Sequence, residues 1–469
     1  MGMDYPWKGF RTALMLGTAF LAGVAVGPVS RLIAGHVGLG VNAAFAQDSY
    51  RADTYQLLAL FGDAFARVRR EYVDPVSDKT LIEYAIDGML TGLDPHSGYM
   101  NAAEFREMEI QATGRFAGLG VEVIQENGFV KVVSPMDGTP ASRAGVRVGD
   151  IITALNGKAV QWLSLEDALE KMRGAPNSKV TLTIKREGVD KPLELSMRRA
   201  IIHLRVVKHR MEADKIGYVR LSEFTEQADA GLKQAVRSLR QQGGGTLNAL
   251  ILDLRNNPGG LLDQAVAISG EFIDRGEIVS TRGRYAEQTQ WLGVKGSDIL
   301  RGAPLVVLIN GGSASASEIV AGALQDRHRA VLVGTRSFGK GSVQTVIPLP
   351  GSGGIRLTTA RYYTPSGRSI QGLGIVPDVP VAETREDEPH FGPEKELDLN
   401  HVLTNQGGTP DAGVGPRTDL PAVAKQISSK PPIDFPKFDP AKPGDTDFQL
   451  QQALVVAKAM VITQHRRSN

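Results

Sequence analysis

Pro304-Leu305-Val306-Val307-Leu308-Ile309-Asn310, then Gly311-Gly312, then Ser313-Ala314-Ser315-Ala316-Ser317-Glu318-Ile319-Val320-Ala321-Gly322-Ala323-Leu324, is the stretch on which the reading of this chain turns. The apolar run reads as a buried strand, the glycine pair as a turn, and residues 315–324 as a helix. Ser315 then sits at a helix N-terminus, where backbone N–H groups without partners can stabilise an oxyanion. Ser315 with Glu318 three residues on also spells a capping box, so two roles stand side by side: helix cap and nucleophile.

The chain has no cysteine, and Lys340 follows Ser315 by twenty-five residues, with Gln344 four further on. A serine hydroxyl attacks well only when a neighbour takes its proton, and a lysine held neutral in a dry pocket can do so. With an ordinary pKa of about 10.4, a lysine is neutral roughly once in 2,500 at pH 7. Bringing it near 7 takes about 4.6 kcal/mol of differential interaction, from burial or a nearby cation. On a straight strand Lys340 and Gln344 would lie about 13 Å apart, so contact requires a bend, which Gly339 and Gly341 permit. Residues 334–341 nearly spell a phosphate loop, but Gly341 stands where the magnesium-binding hydroxyl belongs. The alternation of Val343, Thr345 and Ile347 predicts a strand there, not the helix that such a loop opens.

Upstream, Asn248-Ala249-Leu250-Ile251-Leu252-Asp253-Leu254-Arg255-Asn256-Asn257-Pro258-Gly259-Gly260-Leu261 reads as an apolar strand ending in a glycine turn. Together with the serine block, with Phe338-Gly339-Lys340-Gly341-Ser342-Val343-Gln344 and with residues 358–378, it resembles the carboxyl-terminal processing peptidases, or tail-specific proteases. The likeness covers roughly residues 54–383. It implies a multidomain α/β fold: a mixed α/β protease core, an inserted PDZ domain and an N-terminal helical region. It implies that Ser315 is the nucleophile, Lys340 the general base and Gln344 its orienting partner. The oxyanion hole would be the N–H groups of Gly260 and Ala316.

Residues 116–185 carry the second module. Short strands, a Gly138-Thr139-Pro140-Ala141 turn, a hairpin signal at Asn156-Gly157 and a helix capped by Ser164 follow in the order of a PDZ domain, which they resemble over residues 114–198. Such domains pair a peptide with a sheet edge and hold its terminal carboxylate on backbone N–H groups. By resemblance these belong to Gly118, Leu119, Gly120 and Val121.

The inventory excludes much else. Without cysteine there is no thiol nucleophile, disulfide or thiolate metal site, and the eight histidines form no H-E-x-x-H pair. His328, after the serine helix, reads as a helix-end histidine, with a Ser-His-Asp arrangement as the alternative. Asp94 and His96 are too few for a metal site and read as a turn. No cofactor is expected, and a net charge of +2 makes no case for nucleic acid.

At the N-terminus Lys8 and Arg11 precede an apolar run over residues 13–29, and Ala44-Phe45-Ala46 offers a cleavage site. A cleaved export signal and an uncleaved inner-membrane anchor both fit, and both place the bulk in the periplasm or another extracytoplasmic space. The expected layout is signal or anchor 1–46, helical region 47–113, PDZ domain 114–198, peptidase core 199–383, mobile connector 384–446 and a final helix 447–469, which docks on the core, on another copy or on an adaptor. The expected partners are protein substrates with accessible C-termini, a second copy of the chain, and an adaptor or activator. The expected activity is serine endopeptidase cleavage near a tail, with a catalytically inactive tail-binding scaffold as the competing reading.

Overall fold

A computed structural model of the chain describes residues 41–350, 353–385, 395–405, 417–418, 420–436 and 446–468, without the side chains of 41–52, 467 and 468. The apolar run over 13–29 lies outside these residues. They fall into two compact units, one ending at Leu81 and the other beginning at Ile82. The first holds the long helix Val41–Glu71, whose Arg69 pairs with Asp78 at 3.2 Å.

The second unit is built on a sheet with the strand order Val207–Met211, Ile216–Leu221, Ala249–Asp253, Leu305–Ile309, Val331–Gly334, Val379–Pro380. Only the first pairing is antiparallel. Every residue of the three central strands 249–253, 305–309 and 331–334 is buried, as near-continuous Val, Ile and Leu runs require of parallel strands covered on both faces. Alternation along each strand divides the side chains between two cores. Leu250, Leu252, Leu305, Val307, Ile309 and Leu332 pack with helices Ala228–Gln242, Leu262–Gly270 and Ala316–Asp326. Ile251, Val306, Leu308, Val331 and Val333 pack instead with Phe448, Leu450, Ala453, Val456 and Ala457 of the C-terminal helix Phe448–Ser468. That helix is therefore a structural layer of the core. Each large apolar side chain buried in these layers contributes roughly 1.5–3 kcal/mol.

A second sheet runs Gly98–Met100, Gly353–Tyr363, Arg275–Gly283, Gln290–Lys295, with Ser342–Leu349 also paired to Gly353–Tyr363. Next along the chain after helix Ala102–Thr113 comes a separate sheet ordered Val121–Glu126, Phe129–Pro135, Ile151–Leu155, Lys179–Lys185, Leu193–Arg198, with its own core around Val130, Ile152 and Leu182. The hairpin at Asn156-Gly157 forms with both residues at positive φ, 51° and 75°, as an I′ turn needs. Ser164 caps helix Leu165–Met172 by accepting the Asp167 N–H at 3.0 Å.

The stretch 384–446, expected to be a mobile connector, carries docked pieces among its described residues. Glu396 is buried on a short 3-10 turn, Ala424 belongs to the second core, and Phe435 meets Phe448 edge to face at 5.2 Å. Its polar, Pro-rich composition hid a few buried anchors. Residues 386–394, 406–416, 419 and 437–445 of it lie outside the described ones.

Candidate active site

Three neighbouring parallel strands deliver three loops from their C-terminal ends, where α/β sheets open a crevice. Ala249–Asp253 leads to the turn at 256–260, Leu305–Ile309 to Ser315, and Val331–Gly334 to Lys340. Asn256 and Asn310 tie the first two loops: the Asn256 N–H donates to Asn310 Oδ1 and Asn310 Nδ2 to Asn256 Oδ1, each at 2.9 Å.

Ser315 has φ 54° and ψ −114°, a conformation that costs a non-glycine residue about 1–3 kcal/mol and persists only where its surroundings enforce it. The capping box is half made. Glu318 Oε2 accepts the Ser315 N–H at 2.8 Å, but the Ser315 hydroxyl caps nothing. Gly259 backs the serine so closely that an added Cβ would stand 2.8 Å from Ser315 Cβ, and at Gly260 one would stand 2.4 Å from the Phe224 carbonyl oxygen. Phe224 holds this turn by donating to Gly259 O and accepting from Leu261 N–H, each at 2.8 Å. Among the described residues the N–H groups of Gly260 and Ala316 are committed to no acceptor.

Glu318 is fully buried. Besides Ser315 N–H, it accepts Lys340 N–H at 2.9 Å, Gly339 N–H at 2.7 Å and Ser337 Oγ–H at 2.5 Å. Burial pushes its carboxyl up to about 7 against the hydrogen bonds from Ser337, Gly339, Ser315 and Lys340. The buried hydroxyl of Tyr362 faces the Ser315 side chain. Burial holds that phenol protonated far above its ordinary range.

Lys340 lies just before strand Ser342–Leu349, whose pairing with Gly353–Tyr363 shifts register at Val343/Gln344, with Thr359 of the partner strand as the extra residue. Burial, then the charge of Arg356, lowers its pKa, while Glu396, Glu318 and Asp94 oppose this. No hydrogen bond joins Ser315 Oγ to Lys340 Nζ. Gln344 Nε2 donates to Ser342 Oγ at 3.0 Å and Thr358 Oγ1 at 3.2 Å, leaving its carbonyl uncommitted. Thr358 Oγ1 in turn donates to Asp94 Oδ1 at 3.1 Å. Asp94 also accepts the N–H groups of His96 and Ser97 and the Ser97 hydroxyl, which against its burial hold its carboxyl below the usual range. The Asp94–Ser97 segment is thus the turn that the sequence suggested, with His96 Nε2 2.9 Å from both carboxylate oxygens of Glu396.

The 334–341 loop opens a strand and not a helix, so a phosphate cradle has no support here. His328 lies beyond the far end of helix Ala316–Asp326, away from Ser315. Among the described residues no group of three or more acidic or histidine side chains could hold a metal ion. Sequence reasoning missed Glu318 as a hub, Tyr362 as a neighbour of the serine, and Glu396 altogether. Glu318 alone carried a signal, in the Ser-x-x-Glu spacing.

Across the β-rich domain, Val121–Glu126 is an edge strand, open to pairing. Among the described residues the N–H groups of Leu119 and Gly120 before it find no acceptor. Gly120 has φ 70°, and a Cβ there would stand 2.4 Å from Thr139 Cβ. Beside this loop a cleft of about 1040 Å³ opens between helices Ala102–Thr113 and Leu165–Met172, with Phe116, Leu165 and Leu169 in its wall. The pairs Arg173–Glu107 at 2.6 Å and Arg106–Glu170 at 3.3 Å bridge the two helices.

Residues 215–381 match peptidase family S41, residues 131–186 a PDZ domain, and residues 40–104 the N-terminal domain of the activating protease CtpB. The chain is 53% identical over 332 residues to a carboxy-terminal-processing protease of Bartonella bacilliformis, covering 71% of this chain and 76% of that one. A probable CtpA-like serine protease of Staphylococcus aureus is 37% identical over 317 residues, covering 66% of this chain and 62% of its own length. Among solved structures, the photosystem II D1 C-terminal processing protease aligns at 32% identity and TM-score 0.40, covering 68% of this chain and 92% of that one. The protein is a serine-type peptidase with a PDZ domain and belongs to the carboxy-terminal-processing proteases of peptidase family S41.

Proposed function

We propose that the protein is an exported endopeptidase that holds the C-terminal tail of a protein substrate in its PDZ domain and cuts the chain nearby at Ser315. Neutral Lys340 takes the proton from Ser315 Oγ as that oxygen attacks the peptide carbonyl. The tetrahedral oxyanion rests on the N–H groups of Gly260 and Ala316. Lys340 then passes its proton to the departing amine, and water releases the acyl group by the reverse sequence. Gln344, through its uncommitted carbonyl, orients the lysine ammonium. The observation that carries this reading is the strained backbone of Ser315, whose hydroxyl does not cap its helix, together with the uncommitted N–H groups of Gly260 and Ala316.

Tail capture at Gly118, Leu119, Gly120 and Val121 is supported by the uncommitted N–H groups of Leu119 and Gly120 and by the open strand edge. Tethering raises the local concentration of the scissile segment without a new catalytic contact. Export rests on the basic and apolar N-terminal run, which lies outside the described residues. Among those described, no helix is long and apolar enough to cross a membrane. Exposed Leu57, Leu58, Leu60 and Phe61 on helix Val41–Glu71 support self-association or an adaptor contact.

The missing Ser315–Lys340 hydrogen bond favours the competing reading, an inactive tail-binding scaffold, although unliganded catalytic sites often tighten only around substrate. The full chain, Ser315→Ala and Lys340→Ala are to be incubated with a protein bearing a flexible apolar tail, with cleavage followed by mass spectrometry and tail-peptide binding by fluorescence anisotropy. Cleavage by the intact protein, its loss in both variants and retained binding in all three are expected. Binding without cleavage by the intact protein across pH 6–9 (roughly the window for a lysine base) would leave the scaffold standing.

A further inference from the structure

The turn Glu396–Asp398 lies past the segment matched by peptidase family S41, which ends at residue 381, yet it packs against the loop that carries Lys340. Glu396 donates its N–H to Phe338 O at 3.1 Å. Its carboxylate accepts from Gln371 Nε2 at 2.9 Å, and Gln371 Oε1 accepts the Gly341 N–H at 3.0 Å. One residue thus grips the loop on both sides of Lys340. Asn405 adds a bond from Nδ2 to Gln371 O at 2.7 Å, and Leu397 covers Gly372. The Glu396 side chain is almost wholly buried and lies 2.9 Å from His96 Nε2.

Nothing in the fold of the turn requires a carboxylate there. An apolar side chain there would leave the buried Gln371 Nε2 without its acceptor and break the link to the Gly341 N–H. The placement fits a group whose task is to hold the lysine loop.

We propose that Glu396 is a positioning residue of the active site, through which the segment beyond the protease core clamps the Lys340 loop and brings a carboxylate to the loop that bears the lysine. The proposal rests on the reading of Lys340 as the general base. The charged and titratable groups that face Lys340 are Arg356 on strand Gly353–Tyr363, Glu318 on the serine helix, Asp94 on the N-terminal turn and Glu396 itself. Those that face Glu396 are His96, Tyr362 and Lys340. The negative charge of Glu396 favours the ammonium form of Lys340 and so opposes burial and Arg356. Removing it makes the amine easier to deprotonate.

The test uses the full chain and its Glu396→Gln and Glu396→Ala variants, each first checked for folding by its thermal melt. The rate of acetylation of Lys340 by acetic anhydride, read by mass spectrometry across pH, reports its free amine without reference to catalysis. The pH dependence of kcat/KM on a flexible-tailed protein is measured beside it. Both curves are expected to move roughly 1 unit toward lower pH in the Gln variant, the size of effect a neighbouring opposite charge has. In the Ala variant, where the clamp also opens, kcat is expected to fall about tenfold or more with KM within about twofold, the signature of lost transition-state positioning. Acetylation curves that superimpose on the parent in both variants overturn the proposal. An active Lys340→Ala variant overturns instead the reading beneath it, whichever way the acetylation curves fall.

Discussion

Arg255 grips Asp447 through both terminal nitrogens, at 2.9 and 2.7 Å, and so fastens the start of the C-terminal helix to the strand end that leads into the Gly259-Gly260 turn. The same guanidinium holds Asp253 at 3.0 and 2.7 Å, and all three groups are buried. Asp447 also accepts the Leu450 N–H at 2.9 Å, capping the helix. Asp447→Ala leaves Arg255 with one carboxylate for two sites and removes the cap. A loss of about 2–4 kcal/mol is expected in chemical denaturation, since breaking a buried pair costs more than the pair contributes. A loss below about 0.5 kcal/mol would mean that the network is incidental.

Glu318 makes stability depend on pH in a direction opposite to that of most carboxylates. Its folded pKa, about 7, lies above the ordinary 4.5, so between those values the folded state binds the proton more tightly than the unfolded one. Its contribution is therefore full below about 4.5 and declines as pH rises through about 7. The decline is on the order of 3 kcal/mol. Glu318→Gln is expected to cost more stability near pH 5 than near pH 8, and to lower kcat at least tenfold because the amide cannot accept every N–H that the carboxylate holds. Melting curves at the two pH values check the first part. Equal losses at both would contradict it.

Arg356 acts on Lys340 in the sense opposite to Glu396. Its charge helps lower the lysine pKa, and a general base works only when neutral, so activity rises with pH through that pKa. In Arg356→Gln the lysine holds its proton to higher pH. The acid limb of kcat/KM is expected to move up by about 0.5–1 unit, with reduced activity at pH 7 and recovery at higher pH. Initial-rate profiles across pH decide it, and a shift downward would reverse the assignment.

Gly260 has φ 133° and no room for a Cβ against the Phe224 carbonyl. In Gly260→Ala the turn must move, carrying its N–H away from the site. A fall in kcat of about 10²–10³-fold is expected, the usual cost of losing one oxyanion donor. Tail-peptide affinity, proposed above to reside in the PDZ domain, should stay within about twofold of the parent if the two sites act independently. Retained activity would remove Gly260 from the mechanism.

What the sequence made legible was what local pattern encodes. The apolar run 305–309, the glycine pair and the small-residue string announced a strand, a turn and a helix, and Leu305–Ile309 and Ala316–Asp326 follow. The Asn156-Gly157 hairpin and the Ser164 cap were readable because one or two residues fix their geometry. The half-made capping box was not readable, since whether a serine hydroxyl caps or stays free is decided by the Gly259 backbone pressed behind it. Glu396 was invisible for a related reason. It sits in a polar stretch whose neighbours give no periodicity, and its partners His96, Phe338 and Gln371 come from distant parts of the chain.

The layer formed by helix Phe448–Ser468 has a bearing on how the enzyme comes into being. During synthesis the central strands are made well before the helix that closes one side of them, so a nascent chain carries serine and lysine on a half-clad platform. The last helix made is thus the one that completes the cover on that face of the sheet.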